Sequence, residues 1–328
     1  MTHTAPRPVY GVDFSAAERD AGEKTWVAAG TIDANGLVVH GVDPLVEFAD
    51  RSSADLPSQD PPSADREEAL PALASWIREL DERAVVGLDF PFGLPKFVVE
   101  ATGHDSWRSF ISGFPESLVG EVDGDAADPV RAFAERCVGL TETHGEGTYD
   151  KRETDAAVGA RSPYGFIADT ITFYGMRDVL APVVEDVRFA PMDAADGIPG
   201  DERVWRADAP AGPTLIETYP AAVLDALGLC RTKYKGSSDA ETTRRRRNAE
   251  RLAAESDSEA GVGCGLTYKP DTDLVGRIVD DDGGDALDAV VACLGAATAF
   301  RNDYAVSVDS IDPERPALEG YIYALRGR

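Results

Sequence analysis

Three acidic residues lie inside apolar segments, where surface charge does not accumulate. Asp13 stands in PVYGVDF, Asp89 in AVVGLDF and Glu217 in PTLIETYP. An unpaired carboxylate is expensive to bury, so each needs a partner. Two further acids, Asp285 and Asp288, are three residues apart and therefore share one face of the helix that they open. Hard divalent cations prefer carboxylate oxygens, so the five acids predict an Mg²⁺ or Mn²⁺ site.

Most of these acids also have a structural explanation. Asp285 follows two glycines and could cap its helix, and Asp288 could complement the helix dipole. Glu217 could pair with an arginine, and Asp89 could stabilise the turn that FPFGLP begins. The sequence leaves these alternatives open.

Bases are scarce, and those that occur in groups could contact a phosphate. One group is Lys151, Arg152 and Arg161 in YDKRETDAAVGARSPYG, and another includes Lys235 and the RRRR run at 244–247. The planar guanidinium suits bidentate phosphate contact. We therefore expect residues 148–166 to form a wall of the acidic crevice, with Arg152 and Arg161 facing it. Alternatively, these bases pair with the many acids, and the arginine run is typical of a solvated helix face.

Strands and helices must bring the acids together. Residues 8–14, 24–31 and 36–42 predict three short strands, with Asn35 and Gly36 as a hairpin turn between the last two. A helix is predicted in ADREEALPALASWIREL, and AVVGLDF and PTLIETYP predict buried parallel strands. Because adjacent parallel strands end at one edge of a sheet, Asp13, Asp89 and Glu217 should converge.

The remaining segments complete a mixed α/β architecture. Residues 91–210 lack a clean period and predict a large, mostly helical insertion between the fourth and fifth strands. After AAVLDALGL, a charged helix is predicted at 240–256, an acidic loop at 271–284 and a strong helix in DALDAVVACLGAATAF. We expect residues 1–328 to form a single domain, with a five-stranded mixed sheet flanked by helices.

The amino-acid composition indicates the environment in which the protein works. There are 59 acids and 32 bases, giving a net charge of −27, and only six of the bases are Lys. Such a surface is favoured in molar salt, so we expect a halophilic, archaeal source. The four cysteines are widely spaced and predict buried, reduced thiols. With no signal pattern and no apolar stretch long enough for a membrane span, the sequence predicts a cytoplasmic protein that does not enter membranes.

Several motifs together resemble the DUF429 family, from residue 8 to about 325. They are YGVDFSAA, GLDFPFGLP, IETYPAAVLDALG, YKG, DALDAVVACLGA and EGYIYAL. The resemblance implies a ribonuclease H-like fold and a predicted nuclease. It also implies catalytic acids on the first strand, at the end of the fourth and on a late helix, which are Asp13, Asp89, and Asp285 with Asp288. Glu217 fits the E-x-Y-P of the family and would add a fifth.

The leading hypothesis is therefore a metal-dependent phosphodiester hydrolase, a nuclease whose partner is nucleic acid or another phosphodiester. Its two divalent ions would be held by the five acids. A noncatalytic protein that binds a metabolite or partner in the same acidic pocket is the alternative. An actin-like phosphotransferase is disfavoured, because DFSAAERD lacks a glycine-rich phosphate loop and the chain lacks a duplicated domain.

Overall fold

The computed structural model describes residues 6–52, 64–120, 128–144, 147–194, 205–254, 265–269, 272–306, 312 and 315–325. Its described strands form one sheet in the order β5-β6-β4-β1-β2-β3-β7. These strands are β1 (Arg7–Asp13), β2 (Trp26–Asp33), β3 (Gly36–Pro44), β4 (Val85–Leu88), β5 (Arg188–Phe189), β6 (Thr214–Glu217) and β7 (Leu266–Tyr268).

Fifteen α-helices are present in the described residues, together with a π-helical turn at Gly175–Leu180. They are α1 (Ala21–Lys24), α2 (Leu45–Ser52), α3 (Arg66–Glu79), α4 (Lys96–Ala101), α5 (Trp107–Ser112), α6 (Glu116–Val119), α7 (Pro129–His144), α8 (Glu153–Val158), α9 (Ile167–Tyr174), α10 (Ala181–Val183), α11 (Pro220–Ala226), α12 (Asp239–Ala254), α13 (Leu274–Asp280), α14 (Asp285–Arg301) and α15 (Pro316–Glu319). None of the helices described is long and apolar enough to cross a membrane.

The mixed α/β architecture is confirmed, but the sheet has seven described strands where five were predicted. The additional strands β5 and β7 have only two and three residues, too few to show a strand periodicity. Helix α13 also occupies part of the predicted acidic loop. The turn between β2 and β3 falls at Ala34 and Asn35, and Gly36 begins β3 with a φ of 141°.

Parallel pairing brings three strand ends to one edge of the sheet. Strand β1 runs parallel to β4, with Val12 opposite Leu88, and β4 runs parallel to β6, with Leu88 opposite Glu217. On its other side, β1 is antiparallel to β2. The residues at or just after the ends of β1, β4 and β6 are therefore neighbours.

Helix α14 packs directly across the centre of the sheet. Residues 286–299 of this helix are all buried. Gly11 on β1 makes the close approach possible, because a Cβ there would overlap the backbone of Ala289 and Cys293. A Cβ on Gly87 of β4 would lie 2.8 Å from the Ala292 carbonyl oxygen. The two strand glycines thus set the depth of the helix that carries Asp285 and Asp288.

Each face of the sheet has its own apolar core. One core includes Leu70 of α3, Phe90 after β4 and Phe133 of α7. The other includes Leu224 of α11 and Val291 of α14. The helices between β4 and β6 therefore pack mainly on the face opposite α14.

Candidate active site

Asp13 and Asp89 form the centre of the site. Asp13 is the last residue of β1, and Asp89 follows the last residue of β4. The backbone N–H of Asp89 donates to the Val12 carbonyl at 3.0 Å, which ties the two strand ends together. The Asp13 carboxyl is close enough to that of Asp89 to act on its pKa. Asp13 is only 8% exposed and Asp89 is half-buried, so water has limited access to this pair.

The first turn of α14 adds two acids and brings a lysine with them. The Lys235 ammonium lies 2.8 Å from Asp288 Oδ2 and 3.0 Å from Asp285 Oδ1. Tyr234 donates its hydroxyl to Asp288 Oδ1 at 2.7 Å. Gly284, with φ 76°, allows this contact, because a Cβ there would lie 2.9 Å from the Lys235 side chain. Both oxygens of Asp288 are thus occupied by one short segment.

Another acid, Asp281, accepts hydrogen bonds from backbone N–H groups at the N-terminus of α14. The donors are Ala286 at 2.8 Å and Gly283 at 3.0 Å. Asp285 is the first helical residue and follows Gly284 at the N-cap position. The capping explanation of Asp285 therefore does not describe this helix, and its carboxylate pairs with Lys235 instead.

Crowding of the carboxyl groups changes their protonation. Burial, reinforced by Asp288, raises the pKa of Asp89 to about 8 and raises that of Asp13 well above its ordinary value. Burial also raises the pKa of Asp288, against the opposing effect of Lys235. Burial would lower the pKa of Lys235, but Asp288, Asp13 and Asp285 outweigh it and raise that pKa. A cation in this space would therefore stabilise the ionised acids.

Glu217 belongs to a separate ion-pair network. Arg152 donates to its two oxygens at 2.5 and 2.7 Å, and the Phe92 N–H donates to Oε2 at 3.0 Å. Arg152 also donates to both oxygens of Asp155 and to the Glu319 carbonyl. Burial raises the pKa of Glu217, and Arg152 opposes that rise. The network holds α8, the chain after β4 and the C-terminal segment at the end of β6.

This geometry gives Arg152 a structural part. Its guanidinium is fully buried, and its Nε, Nη1 and Nη2 atoms make five hydrogen bonds to protein acceptors. A guanidinium has five N–H donors, so the predicted phosphate contact does not fit this arrangement. The pairing of Arg152 with acids, the alternative stated from the sequence, describes it instead. Glu217 likewise pairs with an arginine.

The other two predicted phosphate ligands of this segment remain accessible. Lys151 and Arg161 are exposed and line a cavity of about 440 Å³ with Tyr149, Ser162, Gly165 and Phe166. The pKa of Tyr219, which lies two residues after the end of β6, is affected both by Asp89 of the acid group and by Arg161 of the cavity. Burial raises the pKa of Tyr219, with a further rise from Asp89 and an opposing effect from Arg161. Tyr219 is thus within electrostatic reach of both Asp89 and Arg161.

Lys235 is held in place by Tyr234, which sequence reasoning missed, and by Arg245, which belongs to the arginine run interpreted from the sequence as a phosphate-contacting group or a solvated helix face. Tyr234 is buried beside it, and Arg245 of α12 donates to the Tyr234 carbonyl at 2.7 Å and to the Gly236 carbonyl at 3.0 Å. Arg245 is fully buried, unlike a residue of a solvated helix face. Its spacing from Ala249 and Leu252 on α12 was the available signal, because i, i+4 and i+7 share one face.

Only some of the carboxylates in the site are available to bind a hard cation. Across the described portion of the chain, no three His, Cys, Asp or Glu side chains form a ready metal-binding group. Lys235 and Tyr234 occupy Asp288, whereas neither Asp13 nor Asp89 forms a salt bridge with any described residue. Carboxylate oxygens of Asp13 and Asp89 therefore fit Mg²⁺ or Mn²⁺ chemically, and Asp288 could join them on releasing Lys235.

A family model described as "Protein of unknown function (DUF429)" matches residues 195–312. This interval contains Glu217, Lys235, Asp285 and Asp288, whereas Asp13 and Asp89 lie outside it. The match supports the family resemblance and carries no activity with it. No curated protein and no solved structure matches the chain.

Proposed function

We propose that this protein is a metal-dependent phosphodiester hydrolase of ribonuclease H-like fold that acts on nucleic acid. The convergence of Asp13, Asp89 and Asp288 from two strand ends and a late helix is the observation that carries the proposal. These are the positions at which the family resemblance implies catalytic acids. Asp13 and Asp89 would hold Mg²⁺ or Mn²⁺, with Asp288 and Asp285 completing the site.

A bound ion would polarise a phosphoryl oxygen and lower the pKa of a bound water. The side chains of the protein supply the rest. Strand pairing fixes Asp13 beside Asp89, and the strand glycines fix the approach of Asp288. Lys235 faces solvent on one side and the acids on the other, so its ammonium can contact a phosphate oxygen as the substrate enters. Glu217 and Arg152 hold the surrounding chain in position.

The test is metal-dependent cleavage by the purified chain. Labelled single-stranded and duplex DNA and RNA, and a small aryl phosphodiester, would be incubated with Mn²⁺, Mg²⁺ or EDTA. About 2–4 M KCl suits a protein of the proposed halophilic origin, since charge repulsion is then screened within a few ångströms. We expect cleavage with Mn²⁺ or Mg²⁺ and none with EDTA.

Matched variants assign the activity to the acids. Asp13→Asn and Asp89→Asn should abolish cleavage while circular dichroism shows a retained fold. Asp43→Asn is the control, because Asp43 is also a buried acid but pairs with Arg277 outside the acid group. Equal cleavage by all three variants, or none by wild type with any substrate and metal, would refute the proposal.

The alternative of a noncatalytic binding protein draws support from one contact. Lys235 already neutralises Asp285 and Asp288 without a metal. Stoichiometric binding of a nucleotide or oligonucleotide to wild type, with no product after prolonged incubation with either metal, would establish this alternative.

A further inference from the structure

The cavity beside Arg161 combines chemical groups that the proposed hydrolase site does not use. Its walls carry two aromatic rings, Tyr149 and Phe166, and two exposed cations, Lys151 and Arg161. Ser162 completes the polar lining. Aromatic faces next to cationic groups are the combination that binds a base together with its phosphate.

The aromatic rings are held open to solvent. Phe166 is 73% exposed and Tyr149 is 47% exposed, and their centroids lie 5.8 Å apart with an interplanar angle of 39°. Phe166 also has a φ of 48°, a backbone conformation that is strained for a residue other than Gly. An exposed ring in a strained position buries little apolar surface, so packing in the fold does not account for its placement.

The two cations of the cavity are exposed and accessible to a ligand. Lys151 and Arg161 form no salt bridge with any residue that the structure describes. In a protein with a net charge of −27, two cations without a salt bridge to any described residue form a favourable site for an anionic group.

The cavity walls are anchored to the fold. The Tyr164 hydroxyl accepts from the Asp150 N–H at 2.8 Å and shares a hydrogen bond of 2.7 Å with Thr141. Arg152, between Lys151 and α8, binds Glu217 at the end of β6. The walls of the cavity are therefore held in place by packed elements of the fold.

We propose that this cavity binds one unpaired nucleotide of a single-stranded nucleic acid. The base stacks on the exposed face formed by Phe166 and Tyr149, while Lys151 and Arg161 contact the flanking phosphates. Stacking retains its value in molar salt, where the counterion contribution to affinity falls steeply. A preference of the enzyme for single-stranded substrates would follow only if the proposed hydrolase function is correct. Binding of a nucleotide in this cavity does not depend on that function.

Binding can be measured without turnover. Wild type in EDTA and about 2 M KCl would be titrated into a fluorescent single-stranded 12-mer and into its duplex, with anisotropy as the signal. We expect single strands to bind more tightly than the duplex. Phe166→Ala should weaken single-strand binding at least about fivefold, since one base–aromatic stack is worth roughly 1–3 kcal/mol, and Phe166→Tyr should retain it.

Two controls separate the ring from general surface effects. Ile167→Ala is the matched variant, because Ile167 is 75% exposed next to Phe166 but does not line the cavity. It should bind like wild type. Lys151→Gln and Arg161→Gln should weaken binding and reduce its dependence on KCl, as expected when one phosphate contact is lost.

Several outcomes would overturn the proposal. One is equal affinity of Phe166→Ala and Ile167→Ala, and another is preference for the duplex. A dimer of wild type that Phe166→Ala converts to monomers, without loss of oligonucleotide affinity, would instead make the rings a contact between copies of the chain.

The outcomes also separate this inference from the hydrolase. Binding that depends on Phe166 without cleavage would refute only the hydrolase. Cleavage of single strands at an unchanged kcat/KM in Phe166→Ala would refute only the nucleotide site.

Discussion

The Lys235 ammonium lies 2.8 Å from the Asp288 carboxylate and acts on the pKa values of Asp13 and Asp89 as well. It is therefore a counter-ion for the whole acid group, supplied by the chain itself. A divalent ion would compete with it for the same oxygens. The balance between the two can be measured.

Lys235→Gln should lower the melting temperature in EDTA and enlarge the stabilisation by Mn²⁺. The reason is that the glutamine amide has no charge, so the repulsion among the acids is then relieved only by the metal. Thermal melts at several Mn²⁺ concentrations in constant KCl would measure both effects. Lys233→Gln, an exposed lysine that forms no salt bridge with a described residue, is the control. An equal Mn²⁺ shift in wild type and Lys235→Gln would contradict the competition.

Asp89→Asn should stabilise the protein progressively as the pH rises. An unfolded Asp ionises near pH 3.8, whereas the pKa of folded Asp89 is about 8. Between these values the folded state binds more protons, so this carboxyl lowers the free energy of unfolding as pH increases. The asparagine variant lacks the penalty.

The difference in melting temperature between Asp89→Asn and wild type, measured in EDTA, should grow from pH 5 to pH 8 and then level off. Saturating Mn²⁺ should reduce the difference. The pKa of Asp89 is raised by burial and by the negative charges of Asp288 and Glu217, and a bound cation would oppose these effects by stabilising the ionised carboxylate. A difference that stays constant across pH would show that Asp89 ionises normally in the folded protein.

The sequence predicted the strand-end acids because their positions depend on local patterns. Asp13 and Asp89 end apolar segments, and parallel strands bring such ends together. Glu217 pairs with Arg152, which is 65 residues away in the chain. No local sequence pattern shows which base forms an ion pair with which acid over such a separation. Likewise β7 was missed, because three residues beside an antiparallel meander carry no usable periodicity.

Arg245→Gln should destabilise the protein and weaken the hold on Lys235. The guanidinium donates to carbonyls of Tyr234, Gly236 and Val279, and a buried carbonyl left without its donor costs about 1–3 kcal/mol. Chemical denaturation would measure the loss. Arg246→Gln, on the exposed side of the same helix, should change stability by less than about 0.5 kcal/mol. Equal effects of the two substitutions would show that Arg245 is not an anchor.

Gly11→Ala should prevent stable folding, because the added methyl overlaps the backbone of α14 and only a shift of the whole helix would relieve it. Gly139→Ala in α7 is the opposite case. Gly139 is exposed in mid-helix with nothing within 4 Å of an added Cβ, so alanine should stabilise by about 0.5–1 kcal/mol. Urea titrations would compare the two variants. A Gly11→Ala protein with the stability of wild type would show that α14 does not depend on this contact for its position.

The net charge of −27 makes the fold dependent on salt. At millimolar KCl the Debye length approaches or exceeds about 30 Å, so acids across the whole molecule repel one another, whereas at 1 M it is about 3 Å. Repulsion destabilises the compact state more than the expanded one. We expect the melting temperature to rise steeply from millimolar to molar KCl. Replacing KCl by an isosmotic concentration of sucrose separates screening from solvent exclusion, because sucrose strengthens burial without screening charge. Sucrose should recover only part of the rise. A melting temperature that is the same in millimolar and molar KCl would remove the basis for the proposed halophilic origin.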